Sequence, residues 1–260
     1  MISDTPTQVQ TNPLNYFTVV LGEAGTGKTT FLSQIPGHYF ALTEPGHTGL
    51  SVYGSLINDW NEFLTLCKEL VARKTEGKGR VIDVLCVDTY DGLYKLAGEH
   101  VAANTTFLEQ GKPVKASRID DIAFGKGFAR TNELVLGVLK RLRLAGINVF
   151  VACHAKGKVE KYRGQDITVY GPALTPSAST ALVDAADVVM YFRTEENVVR
   201  NQDGLLVANS STRFSYLHGQ FTLTAKHRLS GLPEKFELKR DTQWKDYTDL
   251  FNKALQTNKN

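Results

Sequence analysis

The chain has 260 residues, of which 42% are hydrophobic and 22% are charged. This length and balance exclude a disordered chain and suit one large α/β domain with a buried core. The formal net charge of +3 is too small to establish a nucleic-acid partner by itself. The three cysteines lie in apolar runs without metal-site spacing, which favours buried thiols in a reducing compartment.

The N-terminal residues are polar and lack the apolar stretch of a secretory signal. We therefore expect a flexible tail over residues 1–14 and a single domain over residues 15–260. No segment approaches the roughly 18 continuous apolar residues of a membrane span. The sequence predicts a cytoplasmic protein that makes no membrane contact.

A glycine-rich segment follows the first predicted strand, residues 16–21. It fills every fixed position of a phosphate-binding P-loop, with Thr30 just beyond it, and it reads Gly22-Glu23-Ala24-Gly25-Thr26-Gly27-Lys28-Thr29. Its N–H groups, with those of the helix predicted over residues 28–35, are expected to converge on phosphate oxygens. Lys28 would reach the β- and γ-phosphates and the Thr29 hydroxyl would ligate Mg²⁺. The segment predicts a site for a nucleoside triphosphate.

Strand-like and helix-like segments alternate after the P-loop. The strand patterns cover residues 38–43, 81–87 and 147–153, and the helix patterns cover residues 56–73, 91–103 and 126–144. This alternation predicts an α/β fold in which helices flank a mostly parallel central sheet.

Shorter apolar runs separated by turn signals follow residue 185. They cover residues 187–192, 205–209, 221–225 and 236–239, and they predict antiparallel C-terminal strands that extend one edge of the sheet. An amphipathic pattern over about residues 244–256 predicts a C-terminal helix. Two long segments, residues 104–125 and 155–181, fit no regular element, and loops of this length are usually functional or disordered.

Acidic residues stand where predicted strands end. Asp88 follows an apolar run, at the place where a nucleotide hydrolase carries its second Mg²⁺ anchor. Glu44 follows the second strand, from where its carboxylate can orient or deprotonate a water in line with the γ-phosphate. Asp91 is a competing candidate for that role. The alternatives are an acid that simply ends a strand and a loop glutamate.

Three basic residues complete the candidate site. His154 ends the fourth predicted strand, where it can contact the γ-phosphate and report its loss to the adjoining segment. A buried, hydrogen-bonded histidine is the alternative. Lys226 and Arg228 form a candidate finger for the nucleotide of a neighbouring subunit. The alternatives are a solvated basic turn and a charge supplied within the subunit by Arg193.

This set of motifs resembles the RecA-like ATPase core of bacterial and phage recombinases and ring helicases. The strand end Leu42-Thr43-Glu44 is similar to that family's Asp-x-Glu strand end, without the preceding acid, and implies that the glutamate activates water. Asp88 matches the family's Mg²⁺ acid, and His154 stands where recombinases carry a glutamine. Residues 226–236 are similar to the family's Lys-x-Lys/Arg hairpin, which acts in trans across subunits.

Two further stretches, Thr43-Glu44-Pro45-Gly46 and Ala152-Cys153-His154-Ala155-Lys156, look like phage-encoded ATPases of the single-strand-annealing and recombination group. The resemblance implies ATP and Mg²⁺ as cofactors and self-association into a filament or ring. It also implies single-stranded DNA and a single-strand-binding protein as partners, in the cytoplasm of a bacterial host. The alternatives are a helicase- or loader-type motor and an ATP-switched protein-binding module without DNA.

In the family that the chain resembles, the segments after the Mg²⁺-acid strand and after the His154 strand face the nucleic acid. The corresponding candidates here are Lys112, Lys115 and Arg118 in the first segment and Lys156, Lys158, Lys161, Tyr162 and Arg163 in the second. Cations that neutralise phosphates, interleaved with rings that stack on bases, suit sequence-tolerant binding of single strands. A solvated loop is the alternative.

Overall fold

The structure is a computed structural model that describes residues 8–45, 49–77, 79–109, 112–200 and 206–257. The helices in this part of the chain are α1 (Lys28–Ser33), α2 (Trp60–Glu76), α3 (Tyr90–Ala103), α4 (Lys126–Leu144), α5 (Pro176–Ala185) and α6 (Gln243–Thr257). Among them, none is both long and apolar enough to cross a membrane.

The strands are β1 (Thr18–Gly22), β2 (His38–Leu42), β3 (Gly54–Leu56), β4 (Val84–Asp88), β5 (Thr106–Glu109), β6 (Lys112–Lys115), β7 (Asn148–Tyr162), β8 (Gln165–Pro172), β9 (Val188–Arg200), β10 (Leu206–Tyr216), β11 (Lys226–His227) and β12 (Lys235–Glu237). Of the predicted tail, residues 1–7 lie outside the described residues, and Pro13–Asn15 forms a short 3₁₀ helix.

The main sheet has β1 near its centre. The strand order is β12-β10-β9-β1-β7-β4-β2-β3, and β1 pairs in parallel with both β7 and β9. β10 runs antiparallel to β9 and to β12. The predicted fold class, a mostly parallel central sheet flanked by helices with antiparallel C-terminal strands, is therefore confirmed.

The carboxyl ends of the central strands meet at one edge of the sheet, the carboxyl edge. In the strand register, Gly22 pairs with His154, Asp88 pairs with Ala152, and Leu42 pairs with Asp88. The ends of β1, β2 and β4, together with His154 within β7, thus bring the P-loop and the predicted catalytic side chains to the same place, as open α/β sheets generally do.

Helices cover both faces of the sheet because side chains of a strand alternate between faces. Val19 and Leu21 of β1 pack with side chains of α2, α3, α4 and α5. Val20, between them, packs with side chains of α1 and α6, among them Phe31 and Phe251. A strand that is buried on both faces carries a continuous apolar run, which is why β1 was predictable.

The two segments predicted as irregular contain regular structure, so those predictions are wrong. Within residues 104–125, β5 and β6 form an antiparallel hairpin. Within residues 155–181, β7 continues to Tyr162 and pairs with β8, and α5 follows. Most of the β7–β8 hairpin beyond the sheet is solvent-exposed on both faces, so its sequence lacks the apolar alternation that marks a half-buried strand.

The C-terminal strands also differ from the predicted ones. β9 and β10 form a longer hairpin than expected, and residue 205 lies outside the described residues. Residues 221–225 form only isolated bridges at Leu223, and the strand begins after them at Lys226. The isolated bridge between Gln220 and Leu223 belongs to a turn, which explains why an apolar run there does not extend.

Candidate nucleotide-binding site

The P-loop connects the end of β1 to the start of α1. Gly25 and Gly27 have φ angles of 77° and 99°, a backbone conformation that favours glycine. The buried Thr26 hydroxyl donates to the carbonyl oxygen of Glu23 at 2.8 Å and stabilises the turn. A Cβ on Gly22 would lie 2.7 Å from the Phe192 carbonyl oxygen, so glycine is required where the loop leaves the sheet.

Lys28 lies against this turn. Its Nζ donates to the carbonyl oxygens of Gly22 at 2.8 Å and Glu23 at 2.9 Å. The side chain is buried, and burial lowers the pKa of the ammonium group, while the nearby Asp88 carboxylate opposes this shift. A desolvated ammonium at the P-loop is suited to binding phosphate oxygens, and the contact predicted for it stays a prediction.

Thr29 and Asp88 form a direct contact between α1 and β4. The Thr29 hydroxyl donates to Oδ2 of Asp88 at 2.7 Å. Burial raises the pKa of Asp88, and the hydrogen bond from Thr29 and the charge of Lys28 partly offset this effect. A hydroxyl beside a carboxylate is a donor set that suits a hard cation such as Mg²⁺. The two residues therefore fit the metal role predicted for them.

Glu44 is held at the carboxyl edge by contacts between two strand ends. The N–H of Thr89 donates to the Thr43 hydroxyl at 3.0 Å, and that hydroxyl donates to the Thr89 carbonyl oxygen at 3.1 Å. The Thr89 hydroxyl caps α3 by accepting the N–H of Gly92 and donates to Oε1 of Glu44 at 3.3 Å. Thr89, which the sequence analysis missed, has the signature of a helix N-cap directly after a strand.

Asp91 engages His154 with both carboxylate oxygens. The backbone N–H of His154 donates to Oδ1 at 3.0 Å, and the ring Nδ1 lies 2.9 Å from Oδ2. Burial raises the pKa of Asp91, but these hydrogen bonds outweigh it, so the pKa lies below the ordinary aspartate value. Both carboxylate oxygens of Asp91 are thus engaged with the histidine, and the role of Glu44 in orienting a water stays a prediction. One oxygen or nitrogen of each of the three side chains lies within 4.8 Å of the others.

These groups border one cleft with a volume of about 330 Å³. Its lining residues are Ala24, Gly25, Gly27, Lys28, Thr29, Thr30, Leu42, Glu44, Asp88, Thr89, His154 and Arg213. The other predicted P-loop residues, Gly22, Glu23 and Thr26, shape the turn and do not line the cleft. Arg213 was not predicted from the sequence because no motif marks it, and only the pairing of β10 with β9 brings it to this site.

The C-terminal helix begins directly against the P-loop. The side chain of Gln34 in the turn after α1 donates to the Arg240 carbonyl oxygen at 2.8 Å and accepts the N–H of Trp244 at 3.1 Å. The side chain of Gln243 is buried, and its Nε2 would lie 3.4 Å from a Cβ on Gly27. Residues far along the chain therefore support the phosphate-binding turn.

Lys226 and Arg228 lie near the amino ends of the central strands, here called the amino edge, whereas the P-loop of the same subunit lies at the carboxyl edge. Lys226 pairs with Val189 of β9, and Val189 in turn pairs with Val19 in the first half of β1. Nε of Arg228 lies 3.1 Å from Oδ1 of Asp187, and the Arg228 side chain is 62% exposed. The structure does not bring this pair to its own cleft, and their action in trans stays a prediction.

The first set of nucleic-acid candidates lies around the β5–β6 hairpin. Lys112 and Lys115 are exposed on β6. Arg118 is also exposed, and its Nη2 lies 3.1 Å from Oδ2 of Asp120. An ion pair at this place reduces the positive charge available to a phosphate backbone.

The second set lies on the β7–β8 hairpin, which extends past the carboxyl edge. Lys156, Lys158, Lys161 and Tyr162 are exposed on β7, and Arg163 occupies the turn with a φ angle of 49°. The Tyr162 ring contacts the exposed ring of Phe221 edge-on, with centroids 4.5 Å apart. Phe221 was missed by the sequence analysis, which treated it as part of a strand.

Comparison with known proteins identifies a family to which the chain is similar. No curated protein matches the chain significantly. A family model described as an AAA domain matches residues 14–229, a span that contains the P-loop, both strand-end carboxylates, His154 and Arg213. Because this match covers most of the sequence, the chain belongs to the AAA domain family of P-loop ATPases.

Proposed function

We propose that the protein is a Mg²⁺-dependent ATPase that binds single-stranded DNA and acts in phage-type recombination or single-strand annealing. One observation carries the ATPase part: Lys28, the Thr29–Asp88 pair, Glu44 and the His154 ring border the same cleft. Each of these groups has a distinct chemical task in phosphoryl transfer, and the AAA domain family supports that reaction class.

The residues of the cleft divide the work of hydrolysis. Lys28 would bind the phosphates, and Thr29 and Asp88 would hold Mg²⁺, which would supply positive charge against that of the phosphate chain. Glu44 orients a water and accepts its proton during attack. His154, with Nδ1 directed at Asp91, presents Nε2 as the ring nitrogen left for the γ-phosphate. His154 is half-buried and lies two residues before the exposed part of β7, so loss of the phosphate can be transmitted to the β7–β8 hairpin.

Self-association into a filament or ring is the second part of the proposal. Lys226 and Arg228 carry charge at the amino edge of the sheet, so they can serve a nucleotide only across a subunit boundary. The exposure of the Arg228 side chain supports this assignment. ATP at the boundary would then favour the assembled state, because the charges of one subunit neutralise phosphates held by the next.

Binding of single-stranded DNA is the third part, and the β7–β8 hairpin supports it. Four exposed cations along β7 and its turn can neutralise backbone phosphates, and the Tyr162–Phe221 ring pair offers a surface on which a base can stack. Lys158 is partly offset by Glu160, with Nζ and Oε1 3.2 Å apart. His154 and the outer part of the hairpin belong to the same strand, β7, which would connect DNA contact to the nucleotide cleft.

The test is ATP turnover measured with Mg²⁺, without Mg²⁺, and with or without single-stranded DNA, alongside the mass of the protein with ATP. We expect turnover that requires Mg²⁺, rises with DNA and accompanies assembly. Lys28→Ala should abolish nucleotide binding or turnover, and full activity in this variant would refute the P-loop assignment. Lys140→Ala, an exposed change on α4, is the charge-matched control.

The outcome also separates the alternatives. Turnover that is indifferent to DNA, with no salt-sensitive DNA binding, would replace the recombination function with an ATP-switched protein-binding module. ATP-driven strand separation without annealing would instead identify a helicase- or loader-type motor. Either outcome would leave the assignment of the nucleotide site unchanged and would change only the partner that we assign to the protein.

A further inference from the structure

Arg213 is a cation at the P-loop cleft that the phosphate-binding motif does not contain. Among the described residues that line the cleft, Lys28 is the lysine and Arg213 is the arginine. A guanidinium group stays protonated and can bind phosphate oxygens through two parallel hydrogen bonds. Because a nucleoside triphosphate is strongly anionic, a second fixed cation at its binding cleft bears directly on affinity.

The strand register explains why the Arg213 side chain faces this cleft. Arg213 on β10 and Leu217, directly after the strand, share a face because they are four residues apart. Leu217 packs with α1 and α6, whereas Phe214 and Tyr216 pack with the helices on the opposite face. Arg213 therefore projects on the side of the sheet where α1 and the P-loop lie.

The same register excludes Arg193 from this place. Directly paired residues of antiparallel strands project on the same face, and Arg193 pairs with Phe214. Its side chain therefore starts on the face opposite to α1. Arg213 pairs instead with Thr194, two positions past Phe192, the partner of Gly22 at the start of the P-loop. This position lies just beyond the carboxyl edge.

The backbone of Arg213 is fixed while its side chain is available. β10 is paired with β9 on one side, and on the other the N–H of Leu238 donates to the Arg213 carbonyl oxygen at 2.8 Å. The side chain is exposed, and none of the ion pairs between described residues includes it. A fixed strand position with an uncommitted guanidinium suits a ligand contact better than a structural bridge.

We propose that Arg213 binds the phosphate chain of the nucleotide in its own subunit, so that this cation is supplied in cis. The inference rests on the proposed ATPase function and refines it. Binding of the nucleotide is then charge-compensated within one subunit by Lys28 and Arg213. Lys226 and Arg228 of a neighbour complete the site for turnover, so an isolated subunit binds ATP and an assembled one hydrolyses it.

The first experiment measures ATP and ADP affinity by titration of a fluorescent analogue with wild-type protein and three variants. Arg213→Ala should bind ATP about 10- to 100-fold more weakly, the range expected for losing a charge-assisted contact. Arg213→Lys should bind with intermediate affinity because it keeps the charge without the bidentate geometry. Arg141→Ala, an exposed arginine in the last turn of α4, should match wild type. Unchanged thermal unfolding shows that the variants are folded.

The second experiment distinguishes cis from trans by mixing Arg213→Ala and Lys28→Ala subunits whose co-assembly has been verified, at an ATP concentration too low for either variant alone to turn over. If Arg213 acts in cis, no site in the mixture carries both cations and turnover is not restored. Restored turnover would overturn the proposal, as would wild-type affinity in Arg213→Ala or a loss found in Arg193→Ala alone. A wild-type protein that binds ATP without hydrolysing it would defeat the proposed function and leave the affinity test of Arg213 standing.

Discussion

Asp91 contacts His154 through both of its carboxylate oxygens. Its Oδ1 accepts the backbone N–H at 3.0 Å, and its Oδ2 lies 2.9 Å from the ring Nδ1. This pair fixes both the backbone of β7 at His154 and the direction of the imidazole. A carboxylate that holds one ring nitrogen determines which nitrogen is left for other contacts, as in other carboxylate–histidine pairs. The geometry makes Asp91 a positioning residue for a histidine that faces the cleft.

Asp91→Asn should therefore lower turnover and leave nucleotide affinity nearly unchanged. An amide presents an N–H to the ring where the carboxylate accepted one, so the imidazole loses its preferred tautomer and orientation. We expect turnover at saturating ATP to fall by about tenfold or more, in line with the effect of orienting groups at other sites. Steady-state kinetics measure turnover and a separate titration measures nucleotide affinity, with Glu133→Gln on the exposed face of α4 as control. Equal losses of affinity and turnover would contradict the positioning role.

The pair of Thr29 and Asp88 predicts a specific pattern of Mg²⁺ dependence. Thr29→Ser keeps the hydroxyl that contacts Asp88 at 2.7 Å, and Thr29→Val keeps the shape but not the oxygen. We expect the serine variant to resemble wild type and the valine variant to require about tenfold more Mg²⁺ for half-maximal turnover. Asp88→Asn should behave like the valine variant or worse, because it removes the charge. Titrating Mg²⁺ at fixed ATP measures the Mg²⁺ concentration that each variant needs for half-maximal turnover. A valine variant that needs no more Mg²⁺ than wild type would exclude Thr29 as a ligand.

The centre of the fold could be predicted from the sequence because its signals are local. β1 and β4 are continuous apolar runs bounded by polar residues, and the P-loop occupies consecutive positions. The predicted strand ends then placed Glu44, Asp88 and His154 at one edge without any knowledge of pairing, although β7 continues past His154. The part of the site that depends on consecutive residues and strand ends was therefore accessible before the fold was known.

Other parts depend on pairings that no local pattern encodes. Arg213 reaches the cleft only because β10 pairs antiparallel with β9, and Gln243 meets Gly27 only because α6 packs beside α1. The β7–β8 hairpin was predicted as a loop because both of its faces are largely in solvent, which removes the hydrophobic alternation of a strand. Tertiary contacts decide these elements, so a single sequence does not reveal them.

The proposed sharing of sites between subunits can be tested by mixing two inactive variants. Glu44→Ala lacks the carboxylate that orients water, and Lys226→Ala lacks the cation offered to the neighbour. In a mixed assembly, some boundaries join an intact cleft to an intact Lys226, so turnover should partly return. Measuring turnover against the mixing ratio, with co-assembly confirmed by mass, provides the check. A mixture as inactive as its components would favour action within one subunit.

DNA binding by the β7–β8 hairpin should separate into a charge contribution and a stacking contribution. Replacing Lys156, Lys158 and Lys161 by alanine should weaken binding of single-stranded DNA and reduce the dependence of affinity on salt concentration. ATP binding should be unaffected, because none of the three lines the cleft. Replacing three exposed lysines elsewhere, Lys68 on α2, Lys140 on α4 and Lys253 on α6, by alanine is the control matched in net charge.

Removal of the ring pair should instead weaken binding at every salt concentration. Tyr162→Ala and Phe221→Ala should each cost about 5- to 100-fold in affinity if bases stack on them, with little change in the salt dependence. Because the two rings contact each other, their effects should not be additive. Fluorescence anisotropy over a salt series measures both quantities. Binding that ignores all of these changes would dismiss the hairpin as the DNA contact.

His227 gives the fold a pH dependence that is separate from the nucleotide site. The N–H of Leu229 donates to its Nδ1 at 3.0 Å, and its Nε2 lies 3.0 Å from the Tyr247 hydroxyl. Burial, followed by the nearby His218, lowers the pKa of His227 from 6.5 to about 4. The ring is therefore neutral in the folded protein at pH values where it is protonated in the unfolded chain.

The sign of the effect follows from proton counting. Between pH 6.5 and about 4 the unfolded chain binds a proton at His227 and the folded protein does not. The free energy of unfolding must then fall as the pH decreases through this window, by at most about 3 kcal/mol, and this contribution stops changing below pH 4. Urea unfolding at several pH values should show the loss in wild type. His227→Phe and His227→Gln should both reduce the dependence of the free energy of unfolding on pH. His100→Gln on α3 is the control and should keep the wild-type dependence. A His227 variant that also kept it would assign the pH dependence to other groups.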